Sequence, residues 1–245
     1  MKFWYLVWLA VMFLGMAAIY GLSLYVSEPT ITVPFLAMMA GIHMFLAPIF
    51  LLTILNLEGK TQLWLYNPQG SIKLLLSKVS AAAIIQLITQ VIISLYGLAV
   101  MKILVDGGVI EHFSHLLPFK QGVYMNLGIF ATSMYISVWV IFLWTIYHSL
   151  GRFPAIRNFR WLAVILVWVA YNLVEALLVK LKILNNEMFS FGINVNIAPK
   201  MTYEDGWQII YTDASLPIII ILFYATVSVV IFLLASWLLD RKVEV

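Results

Sequence analysis

The stretch Ser215–Leu239 reads SLPIIIILFYATVSVVIFLLASWLL, 25 residues without one Asp, Glu, Lys or Arg. A run of this kind decides the fold class, because about 20 mainly apolar residues at helical rise cover roughly 30 Å of hydrocarbon. Transmembrane barrel strands alternate apolar and polar residues with period two, and this run does not. Working outward, the whole 245-residue chain is 64% hydrophobic and 10% charged. Its mean hydropathy of +1.01 is one that no soluble domain carries without exposing most of its apolar surface. The expected fold is all-α: a polytopic membrane protein in one domain over residues 1–245. Six spans are expected, at about 3–26, 31–55, 79–105, 123–147, 161–181 and 216–239. The first is read as a retained helix, since its apolar run of about 24 residues exceeds the 7–15 of a signal peptide's core.

Cation placement predicts the orientation. Lys2, Lys60, Lys73, Lys78, Arg152, Arg157, Arg160, Arg241 and Lys242 fall on one side of the six-span arrangement, together with both termini. The other side holds Lys102, Lys120, Lys180, Lys182 and Lys200 among seven acidic residues. Both termini are therefore expected in the cytoplasm. The net charge of +3 is accounted for by topology and gives no reason to invoke nucleic acid. The chain has no cysteine, which excludes disulfides, thiolate metal sites and a cysteine nucleophile.

The connections differ in length. The outer connection at 185–215 is long and mixes aromatic with turn residues, so it is expected to have structure or a role of its own, interfacial or partly re-entrant, the alternative being a loop that lies on the membrane surface. Residues 56–78 form the sizeable inner loop. Gly59-Lys60-Thr61 there looks like the end of a phosphate-binding loop, but the glycine such a loop needs five residues earlier is Ile54. The nucleotide motif fails. Leu57, Thr61, Trp64 and Leu65 share one helical face, with Glu58, Lys60, Gln62 and Tyr66 away from it. A short surface helix over about 57–67 is expected, ended by Pro68.

In this segment the sequence resembles the permease subunits of type-2 ABC exporters. Glu58, Lys60-Thr61, the short apolar run Leu63 to Tyr66, Pro68, and Lys78 leading into span three occupy the places of that family's coupling helix. The resemblance implies that Glu58, Lys60, Thr61, Gln62, Trp64, Leu65, Tyr66 and Pro68 meet a separate ATPase subunit. It implies that ATP and Mg are bound by that partner, with no cofactor and no catalytic site in this chain. A second permease, itself or a close relative, would complete the pathway in the plasma membrane of a bacterial cell. Hydrophobic or amphipathic cargo, a peptide, an antimicrobial or a lipid-like compound, would be exported. The alternative is an ATP-independent membrane protein, either an ion-coupled carrier or a helical sensor or scaffold.

Within the spans, ionisable and polar groups are functional candidates by default. Glu175 stands in VAYNLVEALLVKLKIL with Asn172, and is read either as an interfacial ion-pair partner near Lys180 and Lys182 or as part of the pathway or a dimer interface. His43 lies mid-span before Pro48, where a kink is expected, and is read chiefly as a histidine hydrogen-bonded between helices. His112 and His115 share a helical face beside Glu111 but lack further ligands at helical spacing for a metal. His148 is read as solvated. His-Glu-x-x-His and the paired acidic residues of membrane proteases are absent.

Overall fold

The computed structural model describes residues 2–61, 70–106, 119–154, 157–181, 192–203 and 207–242. Seven helices occur among them: α1 Lys2–Val26, α2 Thr32–His43, α3 Leu46–Thr61, α4 Ser71–Asp106, α5 Phe119–Ser149, α6 Arg160–Lys180 and α7 Ile218–Lys242. The helices give six stretches long and apolar enough to cross a membrane, as the sequence predicts. Seven helices make six spans because α2 and α3 share one crossing, Pro29–Gly59.

The interruption inside that crossing follows from Pro48. Proline cannot donate to the carbonyl four residues earlier and its ring crowds that carbonyl, so α2 ends at His43 and α3 starts at Leu46. Met44 and Phe45 instead donate to the carbonyls of Gly41 and Ile42, each three residues back. The expected kink is thus a full break in the helix. Between α1 and α2, the Ser27 and Glu28 N–H groups cap the Leu24 and Ser23 carbonyls, with Ser27 at φ 57°. That pattern closes α1 and turns the chain in very few residues.

Two boundaries differ from expectation. Span three starts at Ser71 rather than Val79, so α4 has 36 residues and is about 54 Å long, well beyond the roughly 30 Å of a hydrocarbon core. Residues 57–61, expected to open a separate surface helix, are the last turn of α3. Nothing between Leu46 and Thr61 breaks the ladder, since Pro48 falls in the first turn and Gly59 in the last. Residues 62–69, with Gln62, Trp64, Leu65, Tyr66 and Pro68, lie outside the described residues, as do His112 and His115.

The long outer connection holds two strands, β1 Gly192–Tyr203 and β2 Trp207–Pro217, paired as a two-stranded sheet. This two-stranded sheet is the structure of its own expected of the long connection. Ile193, Val195 and Ile197 alternate with Asn194 and Asn196, the period-two pattern of a strand. Pro199 is tolerated because each strand of a two-stranded sheet is an edge.

The chain divides into two compact units. One comprises Met1–Leu46, Ala83–Ser133 and Val195–Ala214. Met12, Met16 and Ile93 form its apolar core, with a second cluster of Val33, Val100 and Leu104. The other comprises Ala47–Ala82, Met134–Asn194 and Ser215–Val245. Its core is built from Leu51, Leu55, Leu75, Ile141 and Trp144 with the small residues Ala47, Ala82 and Ala235. Small residues let helix backbones approach closely, the usual basis of helix association where lipid supplies no hydrophobic drive.

Candidate functional sites

Three polar constellations are built on these helices. The first is at the end of α3 and the start of α4. Glu58 and Lys78 are 20 residues apart in sequence, yet their side chains meet in an ion pair of 2.7 Å. Lys78 is 5% exposed and Glu58 26%, so the ammonium is taken out of water and held by a partner that still reaches it. In the last turn of α3, Gly59 leaves room for the Trp144 ring of α5, since a Cβ there would sit 3.1 Å from the indole. Trp144 donates from Nε1 to Asn56 Oδ1 at 2.8 Å and stacks on His148 at a centroid distance of 4.0 Å. His148 is therefore packed on Trp144 rather than simply solvated. Nearby, Ser71 and Ser236 hydroxyls hydrogen-bond, joining the start of α4 to α7. The glycine that opens the Gly-Lys-Thr triplet is a packing residue. Lys60 and Thr61 close α3, and their side chains are not among those described.

The second constellation surrounds Glu175 on α6. The Tyr224 hydroxyl of α7 donates to its carboxylate at 2.5 Å, where an ion pair with Lys180 was one expectation. Lys180 makes no ion pair among the described residues, and Lys182 lies outside them. The Tyr224 ring packs edge-on to Tyr135 of α5 at 5.4 Å, and the Tyr135 hydroxyl bonds the Tyr171 hydroxyl at 2.7 Å. Trp139 packs edge-on to Trp168 at 5.0 Å. A carboxylate in an apolar span is thus held by a phenol inside an aromatic cluster. Asn172, though within a turn of Glu175, faces outward and donates to the Trp168 carbonyl of its own helix at 2.7 Å. Asn172 and Glu175 do not form a joint site.

The third is a seam of polar side chains around His43, on α2, α4 and α5. His43 stands at the end of α2, and Gln86 of α4 donates its amide to the His43 carbonyl at 3.2 Å. His43 Nε2 faces the Gln86 carbonyl at 3.4 Å and the Thr89 hydroxyl at 3.1 Å. That hydroxyl lies within donating distance of the Ile85 carbonyl at 2.9 Å. The Gln86 carbonyl can only accept, so it selects the tautomer with the proton on Nε2 and leaves Nδ1 as a bare acceptor. One turn along α4, Gln90 donates Nε2 to the Asn126 carbonyl of α5 at 2.6 Å, and Ser94 reaches Asn126 Oδ1 at 3.1 Å. His43, Gln90, Ser94 and Asn126 all line a cavity of about 630 Å³, otherwise walled by apolar side chains. The sequence reading singled out His43 but missed Gln86, Thr89, Gln90 and Ser94. Their spacing at i, i+3, i+4 and i+8 was the available signal, a polar stripe along an otherwise apolar helix.

No group of three or more His, Cys, Asp or Glu among the described residues is placed to hold a metal ion.

Comparison with known proteins adds one relationship. The chain is similar along its whole length to uncharacterized protein YhcE of Bacillus subtilis (strain 168). The two are 27% identical over 244 residues, which cover 100% of this chain and 94% of YhcE. No family model matches the sequence, and no solved structure matches it.

Proposed function

We propose that this chain is the membrane-spanning permease half of an ATP-driven exporter, with ATP hydrolysed by a separate subunit. The observation that carries the reading is the Glu58–Lys78 ion pair. It clamps together the ends of α3 and α4, the two helices that bracket residues 62–69. A clamp at that place gives the segment carrying Trp64 a rigid base, so that a push on it is passed to two spans rather than lost in a loose loop. The length of α4, beyond what a bilayer needs, supports the same reading, because it carries the helix out of the hydrocarbon toward a partner.

In this reading both termini and residues 62–69 face the cytoplasm of a bacterial cell, as the bias of nine cations against five suggests. A second permease completes the pathway, and the cargo is hydrophobic or amphipathic. Trp64, Leu65 and Tyr66 dock against the ATPase. Glu58, its carboxylate paired with Lys78, holds the base of that docking surface.

The test is purification of the full chain from its native membranes in mild detergent, wild type beside Trp64→Ala. The proposal expects a nucleotide-hydrolysing subunit to copurify with wild type and to be depleted with Trp64→Ala. Its absence from wild-type preparations overturns the proposal.

The ion-coupled alternative has one specific observation in its favour, the Glu175 carboxylate held by Tyr224 within the spans. It requires transport to follow an ion gradient in vesicles containing this chain alone, and to be lost in Glu175→Gln.

A further inference from the structure

The seam around His43 contains two acceptors that no protein group satisfies. His43 is 1% exposed and Gln90 5%. Among the described residues, His43 Nδ1 and Gln90 Oε1 have no hydrogen-bond partner. Buried polar atoms are nearly always partnered, and each one left unpaired costs free energy that an apolar residue would avoid. The orientation of the Gln90 amide is fixed by its surroundings. Turning it over would bring Oε1, in place of the donating Nε2, to 2.6 Å from the Asn126 carbonyl. The free oxygen is therefore a consequence of the geometry.

Both side chains line the same cavity. Its volume of about 630 Å³ falls within the range of roughly 300–1,000 Å³ common for small-molecule sites. Its walls come from α2, α4 and α5 and are apolar, with Leu36 and Phe130 among them. Among the described residues, no Asp, Glu, Lys or Arg lines it. An ionic headgroup would meet no counter-charge from these residues and would lose its hydration. Two unpartnered acceptors ask for a ligand that donates.

We propose that this cavity is a binding site for an uncharged amphiphile, whose headgroup hydroxyls donate to Gln90 Oε1 and His43 Nδ1 while its hydrocarbon chain lies along the apolar wall. Neither acceptor is open to solvent, so binding requires a small shift of the side chains around them that leaves the Gln90–Asn126 bond in place. The site belongs to a single copy of the chain and needs no ATPase. It therefore stands or falls separately from the exporter reading.

The test uses the full chain purified in lauryldimethylamine oxide, a detergent with no hydroxyl, and follows the thermal unfolding midpoint. The probes are 1-monooleoylglycerol and methyl oleate, which share an acyl chain and differ in hydroxyl donors. The expected result is a saturable rise of the midpoint with 1-monooleoylglycerol and none with methyl oleate. Gln90→Met and His43→Phe should each move half-saturation to about tenfold higher concentration, the loss of one hydrogen bond in a dry site. Equal shifts with the two probes, no shift with either, or unchanged half-saturation in both variants overturns the proposal. If either variant fails to fold, the wild-type comparison of the two probes still decides. Mass spectrometry of untreated protein then identifies the source. A retained neutral hydroxyl-bearing lipid points to the bilayer, and its absence beside a wild-type shift points to an amphiphile arriving from outside it.

Discussion

The end of α3 and α4 and the seam around His43 are both places where an apolar chain carries polar groups, and they treat those groups in opposite ways. At the first, the ammonium of Lys78 meets Glu58, the Trp144 indole meets Asn56, and Gly59 closes the remaining space. At the second, Gln86 and Thr89 are engaged while Gln90 and His43 each keep an open acceptor beside a cavity. The contrast separates polar residues that hold helices together from polar residues kept for something else. Groups of the first kind cost stability when removed. Those of the second kind cost little stability and alter what is bound.

The largest expected effect is at Glu58. Glu58→Ala leaves the Lys78 ammonium buried without its partner, and breaking a buried pair in this way costs on the order of 3 kcal/mol. The double variant Glu58→Met with Lys78→Met should recover most of that loss, because an apolar pair of similar size carries no desolvated charge. Thermal unfolding in detergent compares the two. A single variant as stable as wild type would mean that the pair is ornamental and the helix ends are held otherwise.

Gly59→Val should come next, at about 1–3 kcal/mol, because it forces the Trp144 ring out of a contact already at 3.1 Å. The same unfolding measurement checks it, and Trp144→Leu in the Gly59→Val background should relieve part of the cost. Together these two positions measure how tightly the α3 end is packed.

The seam predicts a pair of unequal glutamines one turn apart. Gln86→Leu removes the amide bond between α4 and the His43 carbonyl and should cost about 1 kcal/mol, the scale of polar contacts between membrane helices. Gln90→Met loses the bond to Asn126 but also removes an unsatisfied oxygen, and should change stability by less than about 1 kcal/mol. Reversal of that order would erase the distinction between the two kinds of polar group.

Much of this was legible in the sequence for a physical reason. A span must satisfy its backbone internally, so helices and their number follow from runs of apolar residues such as Ser215–Leu239. Pro48 likewise announced a defect, because its missing N–H and its ring act within one turn. What the sequence did not reveal was pairing between elements. Glu58 and Lys78 each fit the expected surface loop, and only the continuation of α3 to Thr61 with the early start of α4 at Ser71 brings them together. The hairpin at 192–217 was missed through weight given to aromatic residues over alternation. Ile193, Val195 and Ile197 carried a strand signal, and Asp205-Gly206 is a dipeptide typical of hairpin sequences. Glu175 was set beside Lys180 because charge was sought along one helix, whereas its partner is a neutral phenol on another.

The central claim is that the clamped ends of α3 and α4 support a docking surface for an ATPase. Photo-crosslinking tests it most directly, with benzoylphenylalanine replacing Trp64 in the full chain in native membranes. The account predicts a crosslink to a nucleotide-binding subunit, and its loss when Glu58→Ala loosens the clamp. Crosslinks from position 64 to lipid or to this chain alone, with no other protein captured, would contradict it.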